Sequence, residues 1–204
     1  MQKLGLALVL ALGGCMSVPH GEQHANTVES AAAPQKVAPG LSANQDQIPT
    51  DVRRTTLIVR DIDNSLKLYR DVLGLRLNYN NPTTMTGIAI PAGGPDDKAR
   101  FALLSANDPW VGMIGMLQWT DPELPDPGPY PTRMLPGGVV IVMNTDDIEG
   151  RCARAAEVPG VTINAEPHLQ VFPSRNGSGE LHVMGCTLFD PDGNLIEINQ
   201  IVKR

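Results

Sequence analysis

Glu197 is the residue of this 204-residue chain whose type and surroundings most suggest chemistry. It is the single charged residue in the apolar run 195–198, which predicts a buried strand. A carboxylate in such a strand costs several kcal/mol unless it is paired, hydrogen-bonded or bound to a metal. Glu197 is therefore a candidate for proton transfer, ligand binding or metal ligation.

A tight turn places the Glu197 strand next to the strand before it. The residues 190–193 (DPDG) are those a tight turn requires: proline presets φ, aspartate bonds nearby backbone, and glycine accepts a positive φ. The apolar runs 186–189 and 195–198 on either side predict a β-hairpin. The first of these strands is predicted to begin at residue 181, so it includes His182. His182 is a candidate second acid–base group, although a structural role is commoner for a histidine there.

The charge and composition of the chain limit its partners. The net charge is −6, and no basic stripe is present to neutralise phosphates, which excludes nucleic acid as a partner. Aromatic residues make up 4% of the chain, so we expect an aliphatic, methionine-rich core. The sequence contains no nucleophile elbow, phosphate-binding loop or dinucleotide fingerprint.

Residues 1–14 predict a signal peptide. Lys3 supplies a positive start, and residues 4–12 form an apolar stretch too short to span a bilayer. The motif LGGC at 12–15 resembles the lipobox of bacterial lipoproteins, in which the chain is cut before the cysteine and the cysteine is acylated. That resemblance implies a lipid anchor at Cys15, on the periplasmic side of the outer membrane since no aspartate follows. An ordinary signal peptide with a chance cysteine and an uncleaved anchor are the alternatives.

The rest of the chain divides by composition. Residues 15–50 are rich in Ala, Pro, Gln, Ser and Asn and predict a disordered tether, because they cannot bury enough apolar surface to offset ordering. The folded part is about the size of one domain. We predict a first unit at 51–120, a proline-rich connector at 121–136 and a second unit at 137–204.

One order of elements occurs in both units. The runs 55–59 and 139–143 predict strands, and each is followed by capping aspartates and a helical pattern. The predicted helices are 66–73 and 148–157, and the further predicted strands are 75–79, 85–90, 100–104 and 112–119, then 161–164, 168–172, 181–189 and 195–202. This repeat predicts two supersecondary units with a common buried face in an α+β fold.

Two segments resemble proteins of the vicinal oxygen chelate superfamily, which includes glyoxalases, bleomycin-resistance proteins and extradiol dioxygenases. The segment 56–75 (TLIVRDIDNSLKLYRDVLGL) is similar to the opening of its members, and 190–197 (DPDGNLIE) to their ending. The resemblance covers about 53–203. It implies two βαβββ modules that form a curved, half-open mixed barrel. It also implies a lyase or isomerase of a small polar or aromatic metabolite, or a non-catalytic binding protein of the bleomycin-resistance type.

The same resemblance implies four metal-ligand positions inside the barrel. Glu197 fills the last of them, and the other three fall on residues without a suitable lone pair: Arg54, Gly115 and Val140. A single carboxylate would not hold a divalent ion. No metal cofactor is therefore expected unless His182 or His168 supplies an imidazole.

A pocket without metal can still be assembled from the residues that remain. Arg54 and Glu197 would form a buried ion pair, or Arg54 would hold an anionic oxygen while Glu197 takes a proton. The expected substrate-binding residues are Arg53, Gln118, Trp119 and Met116, for which core packing is the alternative. Gln118 could act as a metal ligand only if the pairing of its strand were shifted by one residue, which would reverse the face to which it points. The connector permits closure of the pocket within one chain or across a homodimer around a small-molecule ligand.

Cys152 and Cys186 are the remaining cysteines besides Cys15. They could pair in an oxidising periplasm, but cysteines on separate elements need not meet. A packed pair of thiols is the expectation, and a disulfide is the alternative.

Overall fold

The computed structural model describes residues 50–129, 133–174, 177 and 179–202. The predicted signal peptide, the predicted acylation site Cys15 and nearly all of the predicted tether lie outside the described residues. Within the described ranges, no helix is long and apolar enough to cross a bilayer.

Each half of the folded chain forms one four-stranded mixed sheet with a helix on one face. The first module contains β1 (Arg54–Ile58), α1 (Ile62–Leu66) with its π-helical continuation (Lys67–Val72), β2 (Arg76–Thr84), β3 (Lys98–Ser105) and β4 (Met113–Asp121). The second contains β5 (Val140–Asn144), α2 (Ile148–Ala155), β6 (Thr162–Pro173), β7 (Glu180–Phe189) and β8 (Leu195–Ile201). The strand orders are β1-β4-β3-β2 and β5-β8-β7-β6. The predicted α+β fold of two βαβββ modules is confirmed, but the two sheets do not close into a barrel.

Both helices begin in the same way, which supports the internal repeat. Asp61 caps α1 by accepting backbone N–H groups, and Asp147 caps α2 by accepting that of the third helical residue at 3.0 Å. A glutamine from the last strand of each module accepts the first helical N–H: Gln118 for α1 and Gln200 for α2, each at 3.1 Å. Five backbone N–H groups at the helix starts are thereby satisfied through devices that the two modules share.

Three strand assignments differ from the sequence expectation. Residues 80–82 lie between the predicted strands 75–79 and 85–90, but they continue β2, and Pro82 pairs with Arg100. Proline is tolerated there because β2 lies at the edge of its sheet. The segment 85–90, expected as a strand, belongs instead to the loop between β2 and β3. β6 is one strand with two register shifts where two strands were expected.

The two modules share one hydrophobic core. Residues of α1, the π-helix and α2 pack there with the helix-facing side chains of both sheets, including Leu66, Tyr69, Ile148, Ile196 and Ile198. The opposite face of each sheet, called its outer face below, points away from this core. On the second sheet's outer face Val140 is 44% exposed and Val142 is 58% exposed.

A polar contact also joins the modules at the turn 190–194. The hydroxyl of Tyr69 donates to Oδ2 of Asp190 at 2.7 Å, and the Ser65 hydroxyl donates to Asp192 at 3.2 Å. Asp190 further accepts the backbone N–H groups of Asp192 and Asn194 at 2.9 and 2.7 Å. These aspartates therefore hold the turn and fasten it to the first helix.

Cys152 of α2 and Cys186 of β7 form a disulfide. The expectation of two packed thiols was wrong. Cys186 points to the helix-facing side of β7, where α2 packs, so the two sulfur atoms meet in the core.

Candidate functional site

Glu197 lies at the centre of β8, between Val142 of β5 and Thr187 of β7. Successive strand residues point to opposite faces, so Ile196 and Ile198 enter the core while Glu197 lies on the outer face. The side chain is half-buried, and its Oε1 accepts a hydrogen bond from Nδ2 of Asn199 at 2.7 Å. The carboxylate is thus fixed in orientation by its neighbour two residues along the strand.

Glu197 belongs to a group of polar side chains that crosses three strands, called the polar row: Glu197, Asn199, Gln170 and His168. Nε2 of Gln170 lies 3.1 Å from Nε2 of His168. Between β8 and β6 the row passes over Gly185, where a Cβ would lie 2.6 Å from the Gln170 amide nitrogen and 3.3 Å from Oδ1 of Asn199. The missing side chain at Gly185 leaves room for both amides.

The amide of Asn199 has unused hydrogen-bonding capacity. Its Oδ1 is buried and has no partner among the described residues. A buried acceptor left unpaired costs about 1–3 kcal/mol. Sequence reasoning missed Asn199 and Gln170, although their spacing of two from Glu197 and His168 is the signal of a shared strand face.

His182 does not belong to this group. It points to the helix-facing side of β7 with Cys186, whereas Glu197 lies opposite Thr187 on the outer face. His182 is 7% exposed, and its Nε2 lies 3.1 Å from the Glu180 carboxylate. The prediction of His182 as an acid–base group beside Glu197 is corrected by this placement.

Arg54 lies on the outer face of the first sheet. Its guanidinium carbon is 5.0 Å from the centre of the Phe101 ring. The side chain crosses Gly115, where a Cβ would lie 3.0 Å from Cδ of Arg54. Among the described residues, Arg54 and Glu197 do not form an ion pair with each other. The two residues are on separate sheets, so one chain does not form the predicted ion pair.

The predicted substrate-binding residues are scattered. Met116 is fully buried in the shared core, and Gln118 holds the start of α1, so both belong to the helix-facing side of β4 and not to a pocket. Trp119 is on the outer face but only 3% exposed, in a small apolar cluster with loop residues. The guanidinium of Arg53 lies 3.6 Å above the Trp110 ring, just before β1.

The residues at the implied metal positions do not fit a divalent metal ion. Arg54 and Gly115 lie on the first sheet, and Val140 and Glu197 on the second. Among the described residues, no group of three or more His, Cys, Asp or Glu side chains could hold a metal ion. Zinc and related ions take several nitrogen, sulfur or oxygen ligands, of which this set supplies one.

Comparison with known proteins supports the fold. The model of the Glyoxalase/Bleomycin resistance protein/Dioxygenase superfamily matches residues 52–198. A glyoxalase family protein from Bacillus cereus is similar at 16% identity with a TM-score of 0.58, over 79% of this chain and 100% of that chain.

More distant similarity links the chain to a glyoxalase/dioxygenase from Nostoc punctiforme, at 19% identity and a TM-score of 0.48 over 79% of this chain and 100% of that chain. The trypanothione-dependent glyoxalase I of Leishmania major is similar at 17% identity and a TM-score of 0.46, over 74% of this chain and 86% of that chain. No curated protein sequence matches the chain.

Proposed function

Because the chain belongs to the glyoxalase/bleomycin resistance protein/dioxygenase superfamily, we propose that it binds a small polar organic molecule on the outer face of its second sheet. The observation that carries this proposal is the polar row. It presents a carboxylate, two amides and an imidazole on one face of a sheet whose other face is packed in the core.

The polar row favours a ligand that donates hydrogen bonds. Among the described residues, the side-chain hydrogen bond of Glu197 uses Oε1, which leaves Oε2 for a ligand hydroxyl, amide or ammonium group. A hydrogen bond to a charged group contributes about 1.5–3 kcal/mol, so Glu197 is the expected main determinant of affinity.

A thermal-shift screen of small hydroxylated and amine-bearing metabolites, followed by calorimetry of the hits, tests the proposal. Glu197→Gln keeps the shape of the side chain and removes its charge. We expect it to weaken binding about tenfold to a hundredfold, since each tenfold is about 1.4 kcal/mol. Glu180→Gln, a charge removal at an exposed position of the same sheet, is the matched control. Equal affinity of the Glu197 variant and the wild type would overturn the proposal.

Metal content of the same preparations is the second readout. We expect no stoichiometric divalent metal, because the donor set supplies one ligand. Stoichiometric metal that is lost in Glu197→Gln would contradict the metal-free site and favour metal-assisted chemistry.

A metal-independent lyase or isomerase is the second candidate function. The observation that favours it is the fixed orientation of the Glu197 carboxylate by Asn199, which suits a proton acceptor. In that case a ligand found in the screen would be converted to product, and Glu197→Gln would lower kcat by about a hundredfold or more while the ligand still binds. A ligand recovered unchanged after long incubation would leave binding as the function.

We further propose that the outer faces are covered by a second copy of this chain. β5 places Val140 and Val142 on the outer face, where they are 44% and 58% exposed. Contiguous exposed apolar residues of this kind often mark a protein interface. Light scattering after size exclusion should give a dimer, and Val140→Glu should give a folded monomer. A monomeric wild-type protein would contradict this proposal.

Export and lipid anchoring at Cys15 are proposed from the sequence, and the disulfide between Cys152 and Cys186 supports an oxidising compartment. Cys15→Ser should move the protein from the membrane fraction to the soluble periplasmic fraction. Retention of that variant in the membrane fraction would point to an uncleaved anchor.

A further inference from the structure

A cleft of about 270 Å³ lies between the two modules on the helix side of the sheets. It shares no residue with the polar row. Apolar side chains from both modules form its walls: Leu73, Leu75 and Ile114 from the first, and Ile141, Met143 and Ile198 from the second. The polar residues at its rim include Asn107, Asn144 and Thr145.

Arg151 of α2 is the single charged residue among the described residues that line this cleft. Its Nη1 donates to the backbone carbonyl of Val72 at 2.6 Å, at the end of the π-helix. Its Nε is buried without a hydrogen-bond partner among the described residues. None of the ion pairs found in the described part of the chain involves Arg151.

The neighbouring charges do not neutralise this guanidinium by direct contact. Asp147, on the same helix, hydrogen-bonds with Arg154 at 3.1 Å. A half-buried guanidinium against apolar walls is a favourable place for an anion, because hydrogen bonds between a guanidinium and a carboxylate are both charge-assisted and bidentate.

A larger cleft, of about 400 Å³, has several acidic residues in its lining. It lies between the proline-rich connector and the turn 190–194, and its lining includes Glu123, Asp126 and Asp192. Its one arginine, Arg60, is ion-paired with Asp126 at 3.0 Å. An anion is therefore disfavoured in this larger cleft.

We propose that the cleft between the modules binds a small carboxylic acid with an apolar body, with its carboxylate on Arg151 and its alkyl chain or single ring between the two apolar walls. The volume is close to the lower end of the range for ligand pockets, about 300 Å³, which limits the ligand to a short chain or one ring. The ligand contacts both modules at once.

Calorimetry with octanoate and octanol on the purified full chain tests this proposal. The two probes have chains of equal length and differ in the head group, which is a carboxylate in octanoate and an uncharged hydroxyl in octanol. Octanoate should therefore bind at least tenfold more tightly. Arg151→Gln should abolish that preference. Arg154→Gln, which removes an equal charge from the exposed side of the same helix, should leave it intact.

Ala106→Trp is the second variant, because Ala106 is exposed and lines the cleft. The indole should fill the entrance and weaken the binding of octanoate at least tenfold without affecting the core. It keeps the test decisive if Arg151→Gln fails to fold after loss of its bond to Val72. Equal affinities for octanoate and octanol, unchanged preference in Arg151→Gln, or unchanged binding in Ala106→Trp would each overturn the proposal.

Discussion

Removal of one hydroxyl group, by Tyr69→Phe, should weaken the attachment between the two modules. Tyr69 is fully buried in the shared core, and its hydroxyl donates at 2.7 Å to Asp190, which is 2% exposed. Phenylalanine keeps the ring and therefore its packing. The variant thus isolates a single hydrogen bond that links the first helix to the turn of the second module.

The expected loss follows from the charge and burial of the acceptor. A hydrogen bond to a charged group contributes about 1.5–3 kcal/mol. Asp190 keeps its bonds from the backbone of Asp192 and from Asn194, so the carboxylate is not left without donors. We expect Tyr69→Phe to lower the free energy of unfolding by about 2 kcal/mol at neutral pH.

The variant should also change the response to alkaline pH. Burial, together with the charge of Asp190 and its hydrogen bond, raises the pKa of Tyr69 well above its ordinary value of 10.0. The folded state therefore favours the neutral phenol. Its contribution to stability is complete below about pH 10 and is lost as the pH rises toward the raised value in the folded protein. Tyr69→Phe should lose less stability than the wild type above about pH 10.

Urea unfolding at neutral pH and above about pH 10 measures both effects. Tyr79→Phe is the control, since Tyr79 is 41% exposed and its ring contacts Phe101 on the outer face. We expect that control to change stability by less than about 0.5 kcal/mol. A loss of the same small size in Tyr69→Phe, or an unchanged alkaline profile, would refute the assignment of this hydrogen bond as a link between the modules.

Two further predictions concern the core and the first sheet. Cys186→Ala should lower the free energy of unfolding by about 2–4 kcal/mol, measured with urea, because the disulfide closes a long loop. An unfolding free energy of the wild type that does not change on treatment with a reductant would contradict this prediction. Gly115→Ala should cost about 1–3 kcal/mol, because the new Cβ would lie 3.1 Å from the Phe101 ring and 3.0 Å from Arg54. A melting temperature equal to that of the wild type would show that this face has free space.

Local sequence signals predicted the modules because the signals agree with the tertiary structure. Asp61 and Asp147 stand before the helices that they cap, and the DPDG turn joins β7 to β8 as expected. The predicted strand 75–79 was too short, because β2 continues along the sheet edge and includes Pro82. The cysteine pair also depended on tertiary contact, which spacing in the chain does not encode.

The site was predictable only in part. The side of a sheet on which a residue lies can be predicted only where apolar and polar residues alternate along the strand. Glu197 could be found as a single carboxylate in an apolar strand. β4 is apolar on both faces through most of its length, so the sequence did not indicate that Met116 and Gln118 point toward the helices. His182 was placed beside Glu197 by strand pairing alone. The side of the sheet depends on register, and a shift of one residue reverses it.

The outer faces of the two modules differ at their glycines and polar side chains. On the first sheet, Gly115 has no side chain, and Arg54, Thr56 and Phe101 lie within 3.1 Å of the position that its Cβ would occupy. A larger side chain therefore cannot be placed at this position without moving neighbouring side chains. On the second sheet, Gly185 provides room for the amides of the polar row, and the carboxylate of Glu197 is retained. The same small residue thus excludes a ligand group on one sheet and accommodates polar groups on the other, so ligand binding is expected to depend on the second module.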